Sequence, residues 1–241
     1  MKKYALRICS LRLGFKASVF ALLGISLAVS LPVRAEGPNT VRIGLYSIFY
    51  HVSADPLSGP FVPPGQLKLD VDNVETLYLA YVRDFGSHFN AELAVGWPPL
   101  TKTVGRGPAT LGSVPYNNQT ISSARWFSPS LVFNYIFFSP GSFIRPYLGV
   151  GVNFTSFYDR TSTAAGNAAA GGPTSLHLSS SVGPVGTVGI RFRLPFSWSA
   201  YVSYSISNVH THLIANTAGE IRTTNVSFGP QALVASVGYS F

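Results

Sequence analysis

Cysteine, charged residues and long apolar runs are all scarce in this chain. Its one cysteine is Cys9, and only 11% of its 241 residues are charged, compared with about 25% in ordinary soluble domains. Beyond residue 35 no uncharged apolar run reaches the length of about 18 residues that a spanning helix needs. The rest of the chain therefore has no thiol, disulfide or cysteine-based metal site, and no sequence for a transmembrane helix.

Residues 1–35 predict a cleaved secretory signal peptide. Basic residues precede an apolar stretch from Ala17 to Leu31, and Val33-Arg34-Ala35 provides the small residues of a cleavage site. The apolar stretch is shorter than the roughly 20 residues of a membrane-spanning helix, which disfavours a retained anchor. We expect Cys9 to be removed with this segment and residues 36–241 to form one domain.

Loss of this segment changes the charge of the protein. The full chain has a formal net charge of +8, but six of its 17 Lys and Arg residues and none of its nine Asp and Glu residues lie before residue 36. The mature chain therefore carries a net charge of +2 and contains no run of basic residues. This balance predicts no nucleic-acid partner.

The apolar residues, 46% of the chain, alternate with small or polar ones. Even positions from Ile144 to Phe154 are apolar, whereas odd positions from Arg145 to Thr155 are polar, small or amphipathic. A period of two is that of a two-faced strand, and the stretch 144–158 exceeds the 9–11 residues, roughly, that a tilted strand needs to cross a bilayer. Seven other segments repeat the pattern, namely 41–50, 74–85, 88–97, 126–138, 182–194, 198–207 and 228–241.

The connections between these eight segments alternate in length. Tight turns rich in Gly, Pro and Ser follow the second, fourth and sixth segments, whereas long polar stretches follow the first, third, fifth and seventh. Outer-membrane barrels have this arrangement, with an even number of strands. We therefore predict an all-β fold, an eight-stranded antiparallel transmembrane β-barrel with short periplasmic turns and long extracellular loops.

A soluble eight-stranded barrel, such as a lipocalin, is the alternative fold. It would place apolar residues inside and charges outside. Here the face that holds Arg and Glu also holds Gly, Ser and Thr, while the opposite face is nearly free of charge. This inversion favours the membrane barrel.

Several motifs resemble those of one family of outer-membrane proteins. The most specific is Ser-Pro-Ser-Leu at 128–131 together with the stretch 144–157. Supporting matches are Val41-Arg42-Ile43-Gly44, Gly183-Pro184, Trp198, Gly229-Pro230 and Val237-Gly238-Tyr239-Ser240-Phe241. On these residues the mature chain resembles the OmpW family, which includes a branch involved in alkane uptake. The sequence departs from the family at Val182 and Gln231, where tryptophan is expected, so a tryptophan gate does not carry over.

The resemblance implies a function, a location and a set of partners. The function is a narrow, largely hydrophobic channel for small apolar molecules in the outer membrane of a Gram-negative bacterium, and an opening sideways into the membrane is a further hypothesis. The implied partners are outer-membrane lipid and lipopolysaccharide, small hydrophobic solutes, and the barrel-assembly machinery, which typically reads a terminal aromatic such as Phe241.

Two sets of inward-facing residues are candidate functional groups. One is a charged cluster near the short turns, which acts either as a structural plug or as a gate and exit filter, because unpaired charges are costly to bury. The other is a milder lining that suits an apolar solute, although small barrels also pack their interiors. The charged cluster comprises Arg42, Glu92, Arg145, Arg191 and Arg193, and the lining comprises Tyr46, Ile48, Tyr78, Val132, Val185 and Tyr201.

Three prolines lie toward the loop ends of predicted strands. Pro129, Pro184 and Pro230 each remove one hydrogen-bond donor from a strand ladder. Such prolines either fray the rim of a barrel or open its wall. The second interpretation predicts a lateral opening through which an apolar solute leaves the barrel for the outer leaflet.

Other functions are less well supported by the sequence. His177-Leu178-Ser179 superficially resembles an element of lipid A deacylases, but Arg191 and Arg193 stand where a catalytic acid would follow, so we predict no enzyme. His210 and His212 lack a nearby carboxylate in the sequence, and we predict no metal and no cofactor. A structural barrel, or a phage or bacteriocin receptor that acts through its extracellular loops, remains the alternative function.

Overall fold

A computed structural model describes residues 37–55, 58–59, 68–106, 110–111, 114–115 and 117–241. The expected signal peptide, residues 1–35, lies outside these described residues. The described part of the chain contains β1 (Asn39–Phe49), β2 (Val52–Ala54), β3 (Lys68–Val71), β4 (Val74–Phe85), β5 (Phe89–Gly96), β6 (Leu100–Arg106), β7 (Thr110–Leu111), β8 (Val114–Pro115), β9 (Thr120–Phe127), β10 (Ser130–Ile136), β11 (Ile144–Ser162), α1 (Ala164–Ala170), β12 (Thr174–Leu178), β13 (Ser181–Arg193), β14 (Trp198–Ser207), β15 (Val209–Thr217), β16 (Glu220–Phe228) and β17 (Gln231–Ser240).

These elements combine into eight barrel strands. In chain order the barrel strands are β1 with β2, β3 with β4, β5 with β6, β9 with β10, β11 alone, β12 with β13, β14 with β15, and β16 with β17. Each barrel strand pairs antiparallel with its neighbours, and β1 pairs with β17 over ten residues. Among the described residues, the half of the sheet near the short turns closes on itself, as a membrane-spanning sheet requires, whereas β2, β3 and β12 end their ladders nearer the long connections. The predicted eight-stranded antiparallel barrel is confirmed.

The two faces of the wall differ as the alternation predicts. Leu45 and Val150 face outward with 67% and 69% of their surface exposed, whereas Arg42 and Asn134 face inward and are almost fully buried. Most large apolar residues therefore coat the outside of the barrel, and its polar residues fill the inside. In a soluble protein this outer surface would cost free energy, but in a bilayer it contacts lipid.

The short connections are tight turns. The turn between β13 and β14 contains Phe196 and Ser197 with positive φ angles of 59° and 64°, and the Leu194 N–H donates to the Trp198 carbonyl at 2.9 Å. The turn between β4 and β5 contains Gly86 with φ of 77°. Residues with positive φ reverse the chain within a few positions, as the short loops of β-hairpins require.

The long connections contain more regular structure than the sequence analysis expected. Residues 208–227 were predicted as a loop, but β15 and β16 form a hairpin that reverses at Ala218 and Gly219, with φ angles of 53° and 97°. The strands thus extend well beyond the apolar belt. The helix α1 is capped by the Thr163 hydroxyl, which accepts from the Gly166 N–H at 3.0 Å. No helix within the described ranges has the length and apolarity needed to span a membrane.

Candidate functional site

The half of the barrel interior near the short turns is closed around Arg42. This side chain is 1% exposed, and its guanidinium donates to Glu92 at 2.6 Å and to the Ser236 hydroxyl at 2.9 and 3.2 Å. Tyr78 donates its hydroxyl to the other Glu92 oxygen, and the Arg42 guanidinium carbon lies 4.0 Å from the centre of the Tyr201 ring. An ion pair, hydrogen bonds and a cation–π contact together compensate the burial of both charges.

A second ion pair lies beside the first. The Arg191 guanidinium donates to Asp84 at 3.3 Å and to the Ser199 hydroxyl at 3.1 Å. Asn90 donates to the other Asp84 oxygen at 3.2 Å. The sequence analysis missed Asp84, although it stands two residues after the inward-facing Val82 and therefore shares its face. The arginines face two acids and not Glu92 alone.

The remaining two arginines of the predicted cluster lie apart from Glu92. Arg145 donates to the carbonyl oxygens of Ser87 and Phe138, the latter at 3.3 Å, and so connects two of the short turns. Arg193 ends β13 and is partly exposed. The predicted cluster therefore consists of two ion pairs, Arg145 bonded to two short turns, and Arg193 at the end of β13.

Little space remains between these side chains. The cavity among Arg42, Glu92, Tyr147 and Tyr201 measures about 10 Å³. A site needs roughly 10–15 Å³ to hold a single water molecule. The described residues therefore leave no path through this half of the barrel for an organic solute.

The packed side chains around Arg42, Glu92, Asp84 and Arg191 are called the plug below. The half of the barrel beyond the plug encloses a large cavity. Its volume is about 730 Å³, within the range of about 300–1,000 Å³ that is usual for sites binding small molecules. It extends from a floor at Tyr46, Ile48 and Asn153 to the strand tips at Ala218 and Gly171. Its apolar lining includes Trp126, Phe157, Val209 and Val226.

The predicted lining divides between the cavity and the plug. Tyr46 and Ile48 line the cavity, whereas four other predicted residues are buried in the wall below it. Those four are Tyr78, Val132, Val185 and Tyr201. The structure therefore places two of the six predicted residues at the cavity and four outside it. Most of the actual lining comes from strand extensions that the sequence analysis treated as loops.

The wall is interrupted where the third and fourth barrel strands meet. The ladder between β5 and β10 ends at Ala94 and Ser130, and the ladder between β6 and β9 resumes at Leu100 and Arg125. Between these two pairs the described strands form no ladder. Trp126 lies at this gap and lines the cavity, so the gap opens at the level of the solute-sized space.

Pro98 lies at this gap and lacks the backbone N–H that another residue would direct toward the fourth barrel strand. The Trp97 N–H donates to Leu77 of the second barrel strand at 2.8 Å, and successive residues of a strand point their backbone groups at opposite neighbours. Pro98 therefore faces the fourth strand, toward which it has no N–H to donate. Its carbonyl accepts from the Arg125 side chain at 3.1 Å, so a side chain replaces the ladder at this point.

The three prolines singled out from the sequence lie away from this gap, and each has a carbonyl that accepts a backbone N–H. The Pro129 carbonyl accepts from the Phe154 N–H at 3.0 Å, so its missing donor faces the fifth strand and not the gap. The carbonyls of Pro184 and Pro230 accept backbone N–H groups of the seventh barrel strand at 3.2 and 3.1 Å, from Asn208 and Ser207 respectively. A gap in the ladder lies at Pro98, a residue that the sequence analysis did not select, and a lateral opening at Pro129, Pro184 and Pro230 stays a prediction.

The histidine motifs have other contacts. The His177 ring lies 3.4 Å from the Arg160 guanidinium, and the His212 ring lies 2.9 Å from the Asn225 side-chain oxygen. Within the described ranges, no three His, Cys, Asp or Glu side chains come close enough together to hold a metal ion.

Residues 41–241 match the sequence model of the OmpW family. The chain belongs to the OmpW family. Among its relatives, the outer membrane protein W of Vibrio cholerae is 26% identical over 228 residues, which cover 94% of this chain and 100% of that protein. The dibenzothiophene metabolism operon protein PahQ of Pseudomonas aeruginosa is 32% identical over 126 residues, which cover 52% of this chain and 54% of that protein.

A solved structure shares the fold of this OmpW-family chain. The crystal structure of the outer membrane protein OprG from Pseudomonas aeruginosa superimposes with a TM-score of 0.75 at 20% identity, over 86% of this chain and 97% of OprG. The protein is thus an outer-membrane barrel of a Gram-negative bacterium. In such barrels the short turns face the periplasm, so the plug is periplasmic and the large cavity is extracellular.

Proposed function

We propose that this protein passively admits small hydrophobic molecules from outside the cell and releases them sideways into the outer membrane. The observation that carries the proposal is an apolar cavity that ends on a closed floor beside an unpaired stretch of wall. A solute enters at the strand tips, descends to Ile48 and Trp126, and leaves between the third and fourth barrel strands at Pro98.

The closed floor makes passage to the periplasm costly. A solute that crossed the lower barrel would have to separate Arg42 from Glu92, and breaking a buried ion pair costs about 3–5 kcal/mol. The lower lumen is also polar, so an apolar solute would gain nothing by entering it. The plug thus favours a route that turns sideways above it.

The gap lowers the cost of that sideways route. Where the ladder is intact, opening the wall breaks backbone hydrogen bonds in a region that offers no water to replace them. At Pro98 the ladder is already absent, and the Arg125 side chain that bonds to its carbonyl can move without disturbing a strand. The gap leads from the cavity to the outward-facing Trp97 and Phe127, which contact lipid.

The identity of one relative agrees with an apolar solute. PahQ is named for a dibenzothiophene metabolism operon, and dibenzothiophene is a small aromatic molecule without charge. We also propose that residues 1–35 are removed on export, that the barrel-assembly machinery inserts the chain, and that lipid and lipopolysaccharide surround its outer face.

Filling the cavity tests the proposal. Ala215 lines the cavity, and Ala215→Trp places a large ring in the solute space. We expect uptake of a hydrophobic solute into proteoliposomes to fall about tenfold or more, because the solute loses the apolar volume that binds it.

The matched control is Ile214→Trp on the next, outward-facing position of the same strand. It adds the same ring to the outer face of this strand extension and is expected to leave uptake unchanged. Equal uptake by both variants and the parent protein would contradict a route through the cavity, provided that all three proteins unfold at the same temperature.

A further inference from the structure

One hydroxyl in the cavity wall is left without a hydrogen bond. Tyr50 lines the cavity and packs against Ile48, Trp126 and Ala232, while its N–H donates to the Asn73 side chain at 3.2 Å. Its hydroxyl oxygen is buried and has no hydrogen-bond partner among the residues that the structure describes. Leaving a buried polar group unsatisfied costs about 1–3 kcal/mol, so this hydroxyl calls for an explanation.

A second hydroxyl lies close to the first. Thr101 is buried in the same wall, where its oxygen accepts from the Trp126 indole N–H at 2.9 Å. A hydroxyl that accepts one bond keeps its own O–H for another acceptor. Thr101 and Trp126 lie near enough to interact with the Tyr50 side chain, but neither completes a hydrogen bond of proper geometry to its hydroxyl. The Tyr50 and Thr101 hydroxyls therefore share one place on the wall.

Several other polar groups of the cavity differ in this respect, because they bond to one another. At the floor, Ser128 bonds to Thr155 at 2.7 Å and to Asn153 at 3.1 Å, and Thr155 donates to Asn153 at 2.7 Å. Near the mouth, Thr174 and Thr217 bond to each other at 2.8 Å. These groups are satisfied by the protein, whereas the Tyr50 hydroxyl is not.

We propose that Tyr50, assisted by Thr101, binds the single oxygen of an otherwise apolar solute, such as an alcohol, a phenol or a ketone. This inference rests on the proposed function and narrows its substrate class from hydrocarbons in general to hydrophobic molecules with one oxygen. Few polar groups in an apolar site fix the orientation of a ligand, and a group left unpaired by the wrong ligand selects against it.

The position of this site connects binding to release. Trp126, which holds Thr101, flanks the gap opposite Pro98. A solute held by its oxygen at Tyr50 therefore has its apolar part beside the unpaired stretch of wall. The site thus selects the solute at the point where it leaves the barrel.

Tyr50→Phe tests the proposal, because it removes the hydroxyl and keeps the ring. Binding of 2-naphthol and naphthalene to the purified full-length protein in detergent is measured by equilibrium titration. We expect the parent protein to bind 2-naphthol about tenfold more tightly than naphthalene, because one hydrogen bond to a buried group contributes about that ratio of affinities. Tyr50→Phe is expected to bind both compounds with equal affinity. Tyr204→Phe, which removes a hydroxyl from the outward face of the barrel, is the matched control and keeps the preference.

The possible outcomes separate the two proposals. Naphthalene binding that is equal to 2-naphthol binding in the parent protein would overturn the hydroxyl site and leave the hydrophobic channel intact. A preference for 2-naphthol that survives Tyr50→Phe would also overturn the assignment to Tyr50. Failure of both compounds to bind would overturn the cavity as a solute site, and the proposed function with it.

Discussion

Pro98→Ala is expected to reduce uptake of small hydrophobic molecules about tenfold. Alanine supplies the N–H that proline lacks, and at this position the N–H points toward the fourth barrel strand near Trp126. One regained backbone hydrogen bond stabilises the paired wall by about 0.5–1.5 kcal/mol in water, and by more where water is absent. The paired wall is the closed state of the proposed exit.

The measurement is the initial rate of uptake by proteoliposomes that contain equal amounts of folded protein. Pro129→Ala and Pro230→Ala are matched controls, because each restores a donor in a strand without facing the gap. Both controls are expected to retain uptake. A Pro98→Ala variant that transports like the parent protein would show that the gap is not the exit.

Glu92→Gln is expected to destabilise the barrel strongly while leaving uptake unchanged. The substitution keeps the shape of the side chain but removes the negative charge beside Arg42, which is 1% exposed and bonds to Glu92 at 2.6 Å. Loss of one partner from a buried ion pair costs about 3–5 kcal/mol, because the other charge remains buried and uncompensated. The proposed exit lies above this pair, so the route of the solute is not affected.

Thermal unfolding and uptake are measured on the same preparations. Asp84→Asn provides a comparison, because the Arg191–Asp84 pair is longer, at 3.3 Å, and Asp84 is more exposed than Glu92. We expect its loss of stability to be the smaller of the two. If Glu92→Gln instead raised uptake together with ion conductance, the charged residues would be a gate on a vertical route, and the sideways exit would be contradicted.

The membrane-spanning wall could be predicted from the sequence because one physical rule determines it. Lipid on one side and a narrow lumen on the other force a strict alternation, and β4 and β14 were predicted with the bounds that the structure has, Val74–Phe85 and Trp198–Ser207. The alternation of apolar and polar residues weakens beyond the lipid, where both faces of β15 carry polar residues such as His210 and Thr211. This extension was therefore mistaken for a loop.

The site was less predictable because it depends on register between strands that are distant in sequence. The inward position of Arg42 follows from alternation, but its pairing with Glu92 and the separate pairing of Arg191 with Asp84 depend on how the sheet closes. Pro98 stands in a stretch that the sequence shows only as the start of a long connection. Its importance follows from the neighbour that its backbone faces, which only the ladder reveals.

We expect an apolar solute to pass through this protein and ions not to pass, because the lower barrel is closed. The most direct test measures hydrophobic-solute uptake and ion conductance in the same proteoliposomes. We predict saturable uptake with little or no conductance, since the cavity ends above the Arg42–Glu92 pair. Conductance that rises in step with uptake would contradict it, and absence of both would favour a structural barrel or a receptor that acts through its extracellular loops.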